Sequence, residues 1–298
     1  MGDHAGVDEL RDLGELCRQV CEAVGVVPPR LDEVRRGHWL GIPAGELWLR
    51  VGHAGQRDEA ERERAAAVGF GALAAGPSTG LVEGDGWVAV GYERLRPVRP
   101  TGWSDVGEAV GALAGLPAGA VPFPVRQADQ IERWALDGVA AGLLSAGEAD
   151  ELRGRAEAAA AEGPGPLGEG PAHYDAHPGN VVVTADGPRF VDLETAGRGR
   201  RVMDLAVALV EQRRFGATGA FGAAVDAYRR VTAGSGAVGR AVGADPTALP
   251  GLAAAALCYE VYAVLWCVEH ARLGHDRGEA RLRVEGLLRG RPGRWTRQ

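Results

Sequence analysis

The sequence predicts an α+β protein of two lobes, a small β-rich one over residues 1–96 and a larger, mostly helical one over 97–298. Three observations lead there. Strand-like apolar patterns run through Leu31–Val51 and again through Trp87–Tyr92. At Pro97, Pro100 and Gly102 the composition turns to that of a linker. Beyond it the apolar residues recur at helical spacing almost to the end of the chain.

Taken in order, residues Val7 to Val24 place Leu10, Leu13, Leu16, Val20 and Val24 on one helical face, which Pro28-Pro29 ends. Two strand-like runs, LDEVRRGHWLG and ELWLRVG, flank a turn at Ile42-Pro43-Ala44-Gly45. A helix from Gln56 to Phe70 follows, and then strands at Leu81-Val82 and Trp87–Tyr92 around Glu83–Gly86. In the second part, helical patterns cover Val106 to Leu113, Gln127 to Leu144 and Gly147 to Ala161, with a surface connection from Pro117 to Pro124. After Asp204 they cover 204–215, 219–232, 250–273 and 276–288. Within 250–273, Tyr259, Tyr262, Trp266 and His270 form an aromatic stripe, a pattern more often core than site. Its sharper reading has Tyr262 or Trp266, with Glu260, lining a pocket. The tail RGRPGRWTRQ reads as disordered.

Composition excludes several classes. A formal charge of −7 argues against general nucleic-acid binding. The four cysteines, Cys17, Cys21, Cys258 and Cys267, have neither a disulfide framework nor zinc-ribbon spacing, which fits a reducing compartment. The first residues lack the apolar core of a signal peptide, and no uncharged apolar run reaches membrane-spanning length. The expectation is a soluble, cytoplasmic protein with no membrane partner. There is no lysine, so every fixed side-chain cation is an arginine.

The chemistry concentrates in residues 173–205, HYDAHPGNVVVTADGPRFVDLETAGRGRRVMDL. His173, Asp175 and Asn180 keep the spacing H-x-D-x-x-x-x-N, and an apolar hairpin turning at Ala185–Pro188 then delivers Asp192 and Glu194. Phosphoryl transfer to an alcohol needs an acceptor for the hydroxyl proton and oxygen ligands for magnesium. Asp175 suits the first task, and Asn180 and Asp192 suit the second. A different use of the same residues takes His173, Asp175 and His177 as ligands of a zinc or iron ion in a hydrolase. That reading leaves Asn180 and the Asp192 hairpin without a role. Bottom-up, Asp204 reads as an N-cap at the start of the next helix.

On His173, Asp175, His177, Asn180, Asp192, Glu194 and Asp204, the stretch resembles the catalytic core of the aminoglycoside phosphotransferase family, relatives of protein kinases and choline kinases. The resemblance implies a bilobal protein-kinase-like fold, with residues 1–96 as a nucleotide-binding lobe and 97–298 as a catalytic and acceptor-binding lobe. It makes Asp175 the catalytic aspartate, Asn180 and Asp192 the magnesium ligands, and ATP or GTP the phosphate donor. His173 would brace the loop and His177 would sit at its tip. Arg50 stands where the family has a phosphate-contacting lysine, and Glu63, among Glu59, Glu61 and Glu63, best matches its helix partner. Backbone groups from Gly91 and Tyr92 to Arg94 would read the purine edge. Gly37, Gly41 and Gly45 do not make a phosphate-cradling loop. Where the family usually has glycine, this chain has Tyr174, which is expected to pack rather than to touch substrate. Glu194 either adds a carboxylate near the metal or braces Arg198 or Arg200. The implied activity is transfer of a γ-phosphate to a hydroxyl of an antibiotic or amino-sugar-like acceptor. A catalytically degenerate binding protein on the same scaffold is the alternative, motivated by the poor glycine loop and the missing lysine.

Overall fold

The computed structural model describes residues 7–23, 25–27, 35–36, 39–84, 86–233, 242, 245–290 and 293–296, and for 7–13, 23, 35 and 36 the backbone alone. The side chains of Leu10 and Leu13, residue Val24, the Pro28-Pro29 stop, residues 31–34, Gly37 and residues 291, 292, 297 and 298 of the basic tail lie outside this description. The chain forms two compact units, residues 1–100 with 182–194 and residues 101–181 with 195–298.

The first unit contains helix α1 (Val7–Ala23) and strands β1 (Arg35–Arg36), β2 (Leu40–Ala44) and β3 (Leu47–His53). Helix α2 (Arg57–Phe70) and strands β4 (Val82–Gly84) and β5 (Trp87–Glu93) complete its first part. The strands make an antiparallel sheet in the order β1-β2-β3-β5-β4. Period-two alternation sends Leu47, Leu49 and Val51 of β3 into a core with Leu16, Cys17, Val20 and Cys21 of α1. Arg50 therefore points to the opposite face. The β2–β3 turn is not at Ile42–Gly45 as the sequence suggested. Ile42, Pro43 and Ala44 pair with Leu49, Trp48 and Leu47, and the chain turns at Gly45-Glu46, with Gly45 at φ +57°. Burial of Ile42 and Ala44 outweighs the proline. Helix α2 buries Ala60, Glu63, Ala66, Ala67 and Phe70, a helical stripe that carries Glu63 inside.

The second unit is mostly helical: α3 (Trp103–Ala114), α4 (Gln127–Ala140) and α5 (Ala146–Ala160) precede the short strand β6 (Glu169–Ala172). Strands β7 (Val181–Thr184) and β8 (Gly187–Phe190) form a hairpin, followed by β9 (Gly197–Arg200). Helices α6 (Val202–Arg214), α7 (Ala220–Thr232), α8 (Leu252–Arg272) and α9 (Arg277–Leu288) complete the chain. Long and apolar α8 satisfies the length and composition of a membrane span, yet it is the buried central helix on which α4, α5, α6 and α9 pack. All four cysteines are buried and free. The β6–β9 ladder pairs Glu169 with Arg200 through Ala172 with Gly197, a pairing that no local pattern announces. Neither EGPA nor GRGR has the apolar alternation that marks a strand.

From Val182 onward the β7–β8 hairpin belongs to the first unit. Its two-residue turn is Ala185-Asp186, so Gly187 and Pro188 already lie in the second strand. Phe190 is fully buried and meets Phe70 edge to face, at 5.9 Å and 67°. The Phe190 carbonyl accepts the Ala75 amide at 2.9 Å, and Arg189 grips Glu93 through both carboxylate oxygens, at 2.9 and 2.7 Å. These contacts tie a distant segment to the end of α2.

In the second unit, α3 and α7 approach so closely that a Cβ on Gly107 would lie 2.0 Å from the Ala224 carbonyl oxygen. Backbone cannot swing aside as a side chain can. Gly107→Ala should therefore destabilise the protein by about 1–3 kcal/mol, read as a lowered midpoint in urea or heat, although alanine is the better helix former. An unchanged midpoint would show that the two helices can separate at no cost.

Candidate functional site

In the first unit, one guanidinium faces three carboxylates. Arg50 Nη1 lies 2.7 Å from Asp192 Oδ1, Nη2 3.0 Å from Glu194 Oε2, and Nε 2.9 Å from Glu63 Oε2. The first two are aligned hydrogen bonds, whereas the Nε–Glu63 approach is an ion pair without that alignment. The Arg50 side chain is 14% exposed, so it is not the solvated strand arginine that its position allowed. Burial works against its charge, and the three acids more than offset it, raising its pKa. Glu63 is deeper still. Burial pushes its carboxyl up to about 8, against the pull of Arg50 and a hydrogen bond with the Leu193 backbone. Of the other acids on α2, Glu61 pairs with Arg57. Asp192 is 44% exposed and sits at φ +58°, a left-handed conformation that aspartate tolerates better than most residues.

Gly91 and Tyr92 do not form an open edge. The Gly91 amide donates to Thr79 Oγ1, its carbonyl accepts Ser78 and Thr79 amides, and Tyr92 pairs with Trp48 and bridges to Pro77. The Glu93 and Arg94 amides go to the Gly76 and Glu46 carbonyls. The amides of Gly91, Glu93 and Arg94 and the Gly91 carbonyl are thus engaged within the first unit.

In the second unit the chemistry is carried by the loop after β6. Asp204 stands three residues into α6 rather than at its cap, which is Arg201. Its carboxylate instead accepts the His173 amide at 3.0 Å and the Tyr174 amide at 2.7 Å. His173 is fully buried; its Nδ1 accepts the Asp175 amide at 3.3 Å, and its carbonyl accepts Thr195 Oγ1 at 2.7 Å. Tyr174 is interior too, 5% exposed at φ +69°, with its hydroxyl accepting the Arg200 amide at 2.8 Å and its ring filling the space above Gly199. A left-handed tyrosine costs about 1–2 kcal/mol. Burial of the ring and this bond offset it, which accounts for a non-glycine residue here.

Asp175 is held on both oxygens. Asn180 Nδ2 donates to Oδ2 at 3.0 Å and to the Asp175 carbonyl at 3.0 Å, while the Tyr259 hydroxyl donates to Oδ1 at 2.6 Å. His177 Nε2 lies 3.6 Å from Oδ2, with its Nδ1 accepting the Gly179 amide. Since Asn180 uses its amide nitrogen here, its carbonyl oxygen is the atom it can offer a metal. A carboxamide oxygen and the half-open Asp192 carboxylate are hard donors of the kind magnesium takes. By contrast, His173, Asp175 and His177 do not converge on a common point, because His173 serves its own loop. Among the described residues no three His, Cys, Asp or Glu side chains gather as a metal site.

A cavity of about 210 Å³ opens beside Asp175 and His177. Tyr259, Tyr262, Ala263 and Trp266 line it from one face of α8, Glu211 from α6 and Phe215 just past its end, and Arg283 from α9. Glu260 is not part of it: one residue on from Tyr259 the helix has turned, and its carboxylate is gripped by Arg214 at 2.8 and 3.2 Å. Nor is the described part of the tail loose. Trp295 is 4% exposed, its amide donates to the Arg214 carbonyl at 2.7 Å, and Arg283 lies over its ring at 5.2 Å. Glu211, 4% exposed and facing the cavity, was missed in the sequence; its signal is an acid in the apolar run LAVALVEQ.

Residues 35–241 match the model of the phosphotransferase enzyme family. Among solved structures, a choline/ethanolamine kinase family protein from Mesorhizobium loti is similar at a TM-score of 0.55 and 20% identity, over 94% of each chain. The aminoglycoside phosphotransferase APH(3'')-Id from Streptomyces rimosus reaches 0.52 at 18% identity, over 81% of this chain and 96% of its own. An amicoumacin kinase in complex with AMP-PNP, calcium and Ami reaches 0.60 at 12% identity, over 91% of this chain and 92% of its own. No curated protein matches the sequence. These likenesses give the chain a protein-kinase-like α+β fold.

Burial raises the Asp204 carboxyl from 3.8 to about 6, against the pull of its two amide donors. A carboxyl raised on folding holds its proton more tightly in the folded chain. Its contribution to stability is therefore full below about pH 4 and is lost as the pH rises through about 6. Asp204→Asn lacks this dependence and turns an N–H toward one backbone donor. It should melt below the wild type, with the gap widest near pH 4 and narrowing by on the order of 3 kcal/mol toward pH 7. Parallel stability curves across that range would mean that Asp204 does not titrate as described.

Proposed function

Because the chain belongs to the phosphotransferase enzyme family, we propose that this small-molecule kinase transfers the γ-phosphate of ATP or GTP to a hydroxyl of an antibiotic or amino-sugar-like acceptor. The observation that carries the reading is Asp175, a loop carboxylate fixed by Asn180 and Tyr259 at the wall of an aromatic-lined cavity. In that place it orients the acceptor hydroxyl and takes its proton. Asn180 and Asp192 would hold magnesium, which when bound neutralises charge on the phosphates. The first unit binds the nucleotide. There Arg50 is the phosphate contact, and a phosphate would compete with Asp192 and Glu194 for its guanidinium. Tyr262, Trp266 and Glu211 face the acceptor. An acid in that wall supports an amine-bearing acceptor, and two of the similar structures are by name an aminoglycoside phosphotransferase and an amicoumacin kinase.

The reading is tested first by thermal shift with ATP and GTP, with and without magnesium. A magnesium-dependent rise is expected with at least one nucleotide, and its absence with both would favour a degenerate scaffold. Asp175→Ala should lower turnover by about 100-fold or more while nucleotide binding survives; near-normal turnover would remove Asp175 from the chemistry. Asp192→Ala should weaken nucleotide binding in magnesium and leave it little changed without the metal. Equal affinities for wild type and variant in magnesium would show that Asp192 is no ligand.

A further inference from the structure

Tyr259 stands apart from the other aromatic residues of the cavity because it touches both the cavity and the carboxylate. Its hydroxyl is 2.6 Å from Asp175 Oδ1, within the short range of a charge-assisted O–H···O⁻ bond. From another direction Asn180 Nδ2 holds Oδ2 at 3.0 Å. A carboxylate tied at one oxygen still rotates about its Cβ–Cγ bond; tied at both, its plane is set. Tyr259 is itself immobile, 5% exposed on a buried helix and stacked on Tyr262 with ring centroids 6.0 Å apart. Burial, and then the charge of Asp175, keep its phenol protonated, so toward the carboxylate it acts as a donor. A carboxylate oxygen has two lone-pair directions, so a bond to Tyr259 and a bond to an incoming hydroxyl can coexist on Oδ1.

We propose that Tyr259 is a positioning residue for phosphoryl transfer: from the wall of the acceptor cavity it fixes the plane of the Asp175 carboxylate, so that one face of α8 both bounds the acceptor and aims the base. This rests on the phosphotransferase reading. It separates two groups of residues on the same stripe. Tyr262 and Trp266 shape the space for the acceptor, whereas Tyr259 acts through Asp175.

The test is ADP formation from MgATP by the full chain, with ethanolamine, choline or hygromycin B as probe acceptor and with water alone. Tyr259→Phe keeps the ring and removes the donor. It should lower kcat by about 10- to 100-fold with both KM values within about two-fold and the melting temperature nearly unchanged. Trp266→Ala should instead raise the acceptor KM. On an Asp175→Asn background, Tyr259→Phe should cost almost nothing further, since its partner is already altered. Wild-type kcat in Tyr259→Phe, a loss confined to acceptor KM, or a full loss that persists beside Asp175→Asn would each overturn the role and leave the kinase reading standing. A wild-type chain that forms no ADP with any probe or with water would overturn both.

Discussion

A charge removed from water must be met by donors fixed in the fold, and Asp204 is such a charge. It sits in the first turn of α6 and accepts the amides of His173 and Tyr174, two consecutive residues of the loop after β6. Two bonds to adjacent amides fix an orientation as well as a position. With the peptide so held, Tyr174 adopts its left-handed conformation and sends its ring under β9, while His173 is placed to receive the Asp175 amide. Asp175 is thus aimed before its side chain makes any contact. Because burial raises the Asp204 carboxyl to about 6, the acid holds its proton more tightly in the folded chain, so this foundation weakens as the pH rises rather than as it falls.

The first unit solves a related problem with the opposite sign. Arg50 is a mostly buried cation, and Glu63, Asp192 and Glu194 each approach a different nitrogen of it. An ammonium is a point charge at the end of a flexible stem and cannot present three donors in one rigid plane. The planar fork lets acids from α2 and from the segment after β8 share one cation. Arginine at position 50 therefore does more than carry a charge. It joins the hairpin end to the helix, and burial, with the neighbouring charges of Asp192 and Glu194 adding to it, favours a proton on the deepest acid, Glu63.

What the sequence revealed and what it hid divide along one physical line. Local patterns were legible: the strand that carries Arg50, the helix that carries Glu63, and the hairpin that ends before Asp192. Contacts between side chains distant in sequence leave no such trace. Tyr259 lies 84 positions from Asp175, and nothing around it distinguishes a tyrosine that donates to a carboxylate from one that fills a core. The role of Asp204 was hidden for the same reason, because an acid near a helix start looks like a cap whatever its side chain accepts from. The described tail failed differently. Its arginines and glycine suggested a free end, yet Trp295 supplied a ring that two arginines could cover.

The stripe on α8 shows why core and site were false alternatives for this helix. Tyr259 and Tyr262 are 5% and 4% exposed, and with Trp266 they border a cavity. A small cavity inside a helical unit has no wall material other than core residues, so burial is what a lining residue there must show. The informative variable is the angle around the helix. Positions 259, 262, 263 and 266 recur at three and four residues and share a face, while Glu260 sits about 100° away and finds Arg214. An acid on that helix was expected beside the acceptor. The acid that faces the cavity comes from α6 instead, because Glu211 has the orientation that Glu260 lacks.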